Sequence, residues 1–416
     1  MKVIRRFIIG RFRPHDKVHR ASASEPFICH YNRTMASPRK TTRRDFLHGR
    51  SAVHAISDLI PNDTLADPTL KSIAAPDDRS TYLLHVGRTA MACEFQLFLN
   101  AGQHPGATET ALEALDLVDT LENQLTVYRD HSEVSQLNRT AAFESVVAER
   151  GLFDLLQQSV RIYEETRGAF DITSGPLTRV WGFHRRDGRF PTNDTLRQAK
   201  QCVGSNWLEL DSASSSVRFL RNGLEINLGA IGKGYALDRC ADLLRSHGID
   251  DYLIHGGRSS VLAAGSRFDE AHADRGWSIA LRHPLRHEQQ LGELWLRDRA
   301  CGTSSSGNQF FHFAGKRYGH IIDPRSGYPA DDLLSATVLA PTATEADALA
   351  TAFFVMGADA AQAYCRERSE LACLLIRAGS QTGSIEIQTH GVSAGDWQPI
   401  EEAARNQNDD PPTSQD

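Results

Sequence analysis

From Tyr82 onward, short stretches in which apolar and polar residues alternate are interspersed with longer stretches whose apolar positions recur every three to four residues. Phe95-Gln96-Leu97-Phe98-Leu99 reads as a strand. Glu109–Leu125 reads as a helix with Leu112, Leu115, Val118, Leu121 and Leu125 on its apolar side. A second helix is expected over Leu152–Arg167. Strand signals recur at Trp207–Leu210, Val217–Leu220 and Leu224–Leu228, and the last of these runs into a glycine-rich turn and a helix over Tyr235–His247. More strands are expected at Tyr252–His255, Val261–Ala264, Trp277–Leu281, Gln309–Phe313, Ser335–Leu339 and Leu371–Ile376. Helices over Thr344–Met356 and near 358–368 precede the last. The helices come in separated groups and do not follow every strand, so the pattern predicts an α+β domain over 81–395 and no strict βαβ repeat.

The flanks differ from this body. Residues 1–80 lack sustained apolar periodicity and are rich in Arg, Ser, Asp and Pro, the texture of a poorly ordered leader. The first 50 residues hold thirteen Lys/Arg against three Asp/Glu, so the net charge of −6 conceals a basic leader and an acidic body. That body offers no nucleic-acid surface. Thr42-Arg43-Arg44-Asp45-Phe46-Leu47 resembles a twin-arginine signal, but Ser51–Ile60 contains His54 and Asp58 and makes a poor apolar segment. A cytoplasmic location is therefore favoured over export to the periplasm or cell envelope, and Met35 is a second candidate start. No apolar run reaches the roughly 18–20 residues of a membrane span. Residues 396–416, with Asn, Asp, Ser and a Pro-Pro pair, read as a disordered tail. Seven cysteines without a C-x-x-C pair read as thiols and give no structural zinc spacing.

Four segments could carry chemistry. Three glycines punctuate Asn227-Leu228-Gly229-Ala230-Ile231-Gly232-Lys233-Gly234-Tyr235, where backbone could approach a ligand closely and a helix N-terminus could offer N–H groups to phosphate. Neither familiar phosphate motif fits, since Asn227 and Gly234 break the Walker pattern and Leu237 breaks the dinucleotide fingerprint. On spacing alone the segment is either a phosphate site or a tight strand-to-helix turn. His320 sits in Tyr318-Gly319-His320-Ile321-Ile322-Asp323-Pro324, before a conformationally restricted loop that could hold a base in place, though a lone His is more often structural. Asp347 and Thr351 lie four apart on one helix face and could give oxygen ligands to a hard cation; equally, Asp347 could simply complement the helix dipole. Gly168-Ala169-Phe170-Asp171-Ile172-Thr173 joins a small-residue turn to an acid and aromatics that could hold a planar ring or form a core turn. Gly302-Thr303-Ser304-Ser305-Ser306-Gly307 does not match the G-x-S-x-G elbow, and no H-E-x-x-H helix is present.

Taken together and in this order, these segments resemble the ApbE-type family, the FAD:protein FMN transferases, from about Met91 to Gly357, including the stretch with Tyr128, Ser132 and Asn138. The resemblance implies a tunnelling-like (T-fold related) α+β catalytic domain that binds FAD and Mg²⁺. It also implies transfer of FMN to a Ser/Thr hydroxyl of an acceptor protein, with release of AMP. By position, Met91, Tyr128, Ala169, Phe170, Asp171, Asn227, Lys233 and Ile321 match the family's FAD contacts. Ala230 through its carbonyl, Asp347, Ala350 and Thr351 match the metal region, and His320 matches the residue regarded as base.

Three departures stand out. Asn227 replaces a usual Asp, Met91-Ala92-Cys93 replaces Met-Gly-Thr, and Arg258 follows Gly256-Gly257 where Asn, Asp or Glu is common. Hydrolysis of FAD to FMN and AMP, or FAD binding without catalysis, are the alternatives the same residues allow. Neither the acceptor nor the oligomeric state is legible.

Overall fold

A computed structural model of the chain describes residues 82–400 apart from 269–273, 287, 308 and 382. The expected leader with Arg43-Arg44, and residues 401–416 of the expected tail, lie outside the described residues.

Strands β1 (Leu83–Ala90) and β2 (Cys93–Asn100) form a hairpin closed by Met91 and Ala92, both left-handed at φ 48° and 58°. This is the combination that a two-residue hairpin turn with the sheet's own twist requires. Helix α1 (Ala107–Leu125) then crosses back and buries Leu115, Val118, Leu121 and Leu125 as the pattern predicts. Leu112 departs from it: the side chain is 41 % exposed. Next come α2 (Glu133–Thr140), β3 (Val146–Val147), α3 (Arg150–Glu165), α4 (Gly175–Val180), α5 (Asn193–Gln201), β4 (Leu208–Asp211) and β5 (Ser216–Phe219), with a small β3-β5-β4 sheet. Helix α6 (Gly232–Ser246) is followed by β6 (Tyr252–Gly256), β7 (Ser260–Ala264), β8 (Trp277–Arg282), β9 (Gln290–Leu296), β10 (Arg299–Ser305), β11 (Phe310–Phe313), β12 (Lys316–Gly319) and β13 (Ser335–Ala340). Helices α7 (Ala343–Met356) and α8 (Ala358–Arg366) precede β14 (Ala372–Ala378), β15 (Ile385–His390) and β16 (Trp397–Pro399).

Eight strands form one antiparallel sheet in the order β1-β2-β6-β7-β10-β13-β14-β15. Alternation along each strand sends residues to two faces. Leu97, Leu99, Ile254 and Val338 face helices α1, α6 and α7, while Leu253, Val261, Cys301 and Leu374 meet Trp277, Leu294 and Leu296 of the three-stranded sheet β16-β9-β8. The architecture is α+β. A third core of Leu177, Trp181, Phe183, Leu196 and Ile322 lies beside the β11–β12 hairpin.

Three expectations need correction. Leu224–Leu228 is not a strand, although Leu224, Ile226 and Leu228 are buried alternately. The Asn138 amide takes both backbone groups of Ile226, donating to its carbonyl at 2.9 Å and accepting from its N–H at 2.7 Å, and the Asn227 N–H donates to the Ile172 carbonyl at 2.7 Å. Those backbone groups are thus satisfied without a ladder. Helix α6 begins at Gly232, three residues before Tyr235, because its glycines lie in the first turn. The ordered chain also runs past 395, since β16 pairs with β9 through Trp397 and Leu294.

Candidate active site

A cavity of about 530 Å³ opens where the β6–β7 turn, the end of β10, the starts of α6 and α7, and the segment after β12 converge. Met91, Tyr128, Asn227, Gly229 and Lys233 continue into an adjoining slot of about 210 Å³ walled by Ala92, Thr126 and Leu228. Tyr128 stands at the mouth, 73 % exposed.

Two helices brace one another at the base of this cavity. The Gly234 N–H in the first turn of α6 donates to Asp347 Oδ2 of α7 at 2.8 Å. In return Asp238 of α6 accepts the N–H groups of Ala343 and Thr344 at 2.8 Å each, together with the Thr344 hydroxyl. Each carboxylate therefore satisfies backbone donors that the other helix leaves open at its N-terminus. Such an approach needs glycine at 234, where a β-carbon would lie 2.5 Å from the Ala343 carbonyl carbon and closer still to its oxygen. Gly302 of β10 plays the same part, since a β-carbon there would lie 2.7 Å from the Asp347 nitrogen.

Burial pushes the Asp347 carboxyl above the usual carboxylate range, and the Lys233 ammonium opposes that shift. Lys233 donates to the Ser259 hydroxyl. Thr351, one turn after Asp347, places its hydroxyl 3.1 Å from that of Ser304. This corner thus offers a carboxylate, two hydroxyls and the backbone around Ala230. Among the described residues no group of three or more His, Cys, Asp and Glu side chains could hold a metal. Oxygen donors with a single carboxylate suit a hard cation that keeps water and takes further oxygens from phosphate.

The Gly229–Lys233 turn is held from both sides. Asn138 fixes Ile226, and Asn227 Oδ1 accepts the Gly229 N–H at 2.9 Å in an Asx turn. That bond needs only an acceptor oxygen, so the amide at 227 builds the turn as a carboxylate would. Asp171 anchors the opposite wall, where Oδ1 accepts from the Thr173 N–H at 2.8 Å, the Thr173 hydroxyl at 2.6 Å and the Ser205 hydroxyl at 2.7 Å. Burial raises this carboxyl and those hydrogen bonds pull it back.

His320 Nδ1 lies 3.1 Å from the Gln309 carbonyl, an arrangement in which Nδ1–H donates and leaves Nε2 as the acceptor. Burial lowers its pKa and the Gln309 contact opposes the shift, so the ring is neutral near pH 7. The ring of Phe183 stands edge-on to it at 6.4 Å. A neutral imidazole, an ammonium and an oxygen-rich corner around one cavity can deprotonate a hydroxyl and accommodate phosphate.

Residues 91–375 match the profile of the ApbE family. The chain belongs to the ApbE family. Among curated ApbE relatives, FAD:protein FMN transferase from Treponema pallidum (strain Nichols) is 32 % identical over 266 residues, 61 % of this chain and 73 % of the relative. The protein of the same name from Klebsiella pneumoniae (strain 342) is 31 % identical over 271 residues, 64 % of this chain and 81 % of the relative. The crystal structure of the ApbE protein from Thermotoga maritima superposes with a TM-score of 0.66 at 27 % identity, covering 73 % of this chain and 96 % of that one. Flavin transferase ApbE from Vibrio cholerae gives 0.64 at 26 %, with 75 % and 97 % covered.

Of the residues that the ApbE resemblance singled out, Met91, Tyr128, Asp171, Asn227, Ala230, Lys233, His320, Ile321, Asp347 and Thr351 line the main cavity. The side chains of Ala169, Phe170 and Ala350 do not, each being packed inside at 1 % exposure. Sequence reasoning missed Ser259, Ser304, Gln309 and Asp238. The signal for Ser304 was the hydroxyl-rich run from Gly302 to Gly307, tested only as a nucleophile elbow.

Proposed function

We propose that this chain transfers FMN from FAD to a Ser/Thr hydroxyl of another protein and releases AMP. The observation that carries the reading is that His320, with Nε2 available, lines the same cavity as Lys233, Asp347 and Thr351. The activity for which the relatives from Treponema pallidum and Klebsiella pneumoniae are named supports it, at 32 % and 31 % identity.

The chemistry follows from the residues. His320 Nε2 takes the proton of the acceptor hydroxyl. The acceptor oxygen forms a bond to the FMN-side phosphorus, and the bond from that phosphorus to the bridging oxygen breaks, with the electron pair leaving on AMP. The Lys233 ammonium binds the pyrophosphate oxygens, whose negative charge gathers on the leaving side. Asp347, Thr351, Ser304 and the Ala230 carbonyl would hold Mg²⁺, which supplies charge neutralisation of the pyrophosphate when bound. The slot beside Tyr128 suits a planar ring.

Replacement of His320 by Asn tests the assignment. It keeps size and hydrogen bonding but lacks a proton acceptor near neutral pH. FAD binding, followed by flavin fluorescence, should persist while transfer slows by roughly 10²–10⁴-fold. Transfer at the wild-type rate would remove His320 from the chemistry.

A further inference from the structure

The active-site cavity has a second permanent cation. Arg186 lines it as Lys233 does, although it belongs to none of the four segments with chemistry legible in the sequence. It closes the 3₁₀ turn Phe183–Arg185 in the left-handed region, at φ 59°. Glycine fills such a position at no steric cost, whereas arginine there is strained. The surroundings nonetheless fix it. The Arg186 N–H donates to the Phe183 carbonyl at 3.2 Å, and the Asp187 N–H donates to the Gly182 carbonyl at 3.3 Å. Gly188 sits so close to β11 that a β-carbon there would lie 2.8 Å from the Phe311 side chain, and Arg189 Nε donates to the Val180 carbonyl at 3.3 Å. This anchored turn presents a guanidinium that makes no hydrogen bond or ion pair among the described residues. Strain held in place beside a site points toward function.

The same turn supports the base. The Phe183 carbonyl that accepts from Arg186 also accepts from Gln309 Nε2 at 2.8 Å, and the Gln309 carbonyl in turn receives His320 Nδ1–H at 3.1 Å. The Phe183 ring stands edge-on to His320 at 6.4 Å. Arg186 and His320 therefore share one scaffold, on the side from which a hydroxyl that gives its proton to His320 must arrive. That oxygen gains negative charge as it approaches a phosphate that is already negative. Lys233 is held toward Ser259, at the other end of the cavity's polar groups. We propose that the Arg186 guanidinium pairs with the two non-bridging oxygens of the FMN-side phosphate and shields that phosphate from the incoming oxygen. A guanidinium fork matches two such oxygens in bidentate fashion, which an ammonium does not. The charge it offsets grows as the new bond to phosphorus forms, so its effect falls on the rate more than on binding. This inference rests on the transferase reading and adds to it the group that neutralises the attacked phosphate.

The experiment compares the full chain with Arg186→Gly, which suits the backbone conformation and so folds, and with Arg186→Lys. Its first arm needs no turnover: the affinities for FMN and for riboflavin, which lacks the phosphate, are measured by flavin fluorescence without metal. The wild type should prefer FMN. Arg186→Gly should lose that preference by about 10-fold or more while its riboflavin affinity stays unchanged. AMP affinity, measured by calorimetry, should also stay unchanged. In the second arm each protein receives FAD, Mg²⁺ and protein extract from the source cell, and AMP and protein-bound FMN are followed. For Arg186→Gly, kcat should fall by about 10²–10³-fold, and KM for FAD should rise by no more than the loss of FMN affinity. Added guanidinium ion should restore part of that rate, which it would not do if the arginine were merely structural, and Arg186→Lys should fall between the two. An Arg186→Gly protein that keeps the preference for FMN over riboflavin, or that loses AMP affinity instead, would overturn the inference. AMP released by the wild type with free FMN and no protein adduct would overturn the transferase reading, and the FMN preference would still decide the role of Arg186.

Discussion

Replacing Gly234 by alanine should break the junction of α6 and α7. The added methyl would sit 2.5 Å from the Ala343 carbonyl carbon and 2.8 Å from the Thr344 nitrogen, both backbone atoms that cannot rotate away. Helix α7 must shift or α6 must unwind. Overpacking of this kind costs about 1–3 kcal/mol. The shift also lengthens the 2.8 Å bond from the Gly234 N–H to Asp347. A hydrogen bond to a charged group contributes about 1.5–3 kcal/mol. Together the loss is about 2.5–6 kcal/mol, a large part of the roughly 5–15 kcal/mol that holds a typical domain folded. Gly232→Ala is the matched control, since its methyl meets nothing nearer than the Leu228 β-carbon at 3.8 Å. Urea unfolding should show Gly232→Ala close to wild type or slightly better, and Gly234→Ala with a much lower midpoint. A Gly234→Ala midpoint within about 1 kcal/mol of wild type would refute the reasoning, because no rotamer change relieves that contact.

Ala92→Gly should stabilise the protein by about 1 kcal/mol, since Ala92 holds φ 58° in the β1–β2 turn and glycine adopts that conformation freely; thermal melts would check it. Asp347→Asn keeps an acceptor oxygen for the Gly234 N–H but removes the carboxylate, so the fold should survive while Mg²⁺ binding, measured by calorimetry, is lost. The pH profile follows from His320: burial lowers its pKa and the neutral ring is the active form, so the rate should rise with pH through a midpoint below that of a free imidazole and then level off, as a rate-against-pH series would show. Stability should follow His255 in the same direction. Burial and Arg258 lower its pKa to about 4, so the folded state binds fewer protons than the unfolded one. Stability is then fully present above about pH 6.5 and lost as pH falls toward 4, as denaturation at several pH values would show.

The elements read correctly from sequence are those whose partners are local or whose period is sustained. The α1 stripe is one example, because burial of a helix face requires periodic apolar residues, and α7 is another, apolar nearly all round because the core encloses it. Leu224–Leu228 was misread for an instructive reason. Its alternation did report alternate burial, but the decisive groups belong to Asn138, distant in sequence, which occupies the backbone a ladder would have used. Strand β10 escaped notice for the opposite reason: its end, Thr303-Ser304-Ser305, is polar because it opens into two cavities. Within the site, His320, Lys233 and Asp347 were legible through motif context. Asp238 was not, since a lone acid in a helix gives no hint that it caps another helix 105 residues away.

The most direct test of FMN transfer is a mass balance with the full chain, FAD, Mg²⁺ and protein extract from the source cell. Covalent FMN on protein is counted by intact mass, and AMP by chromatography. Transfer through this cavity predicts one AMP for each FMN bound to protein, both lost together in His320→Asn. AMP appearing with free FMN and no protein adduct would contradict it and make the site a pyrophosphatase.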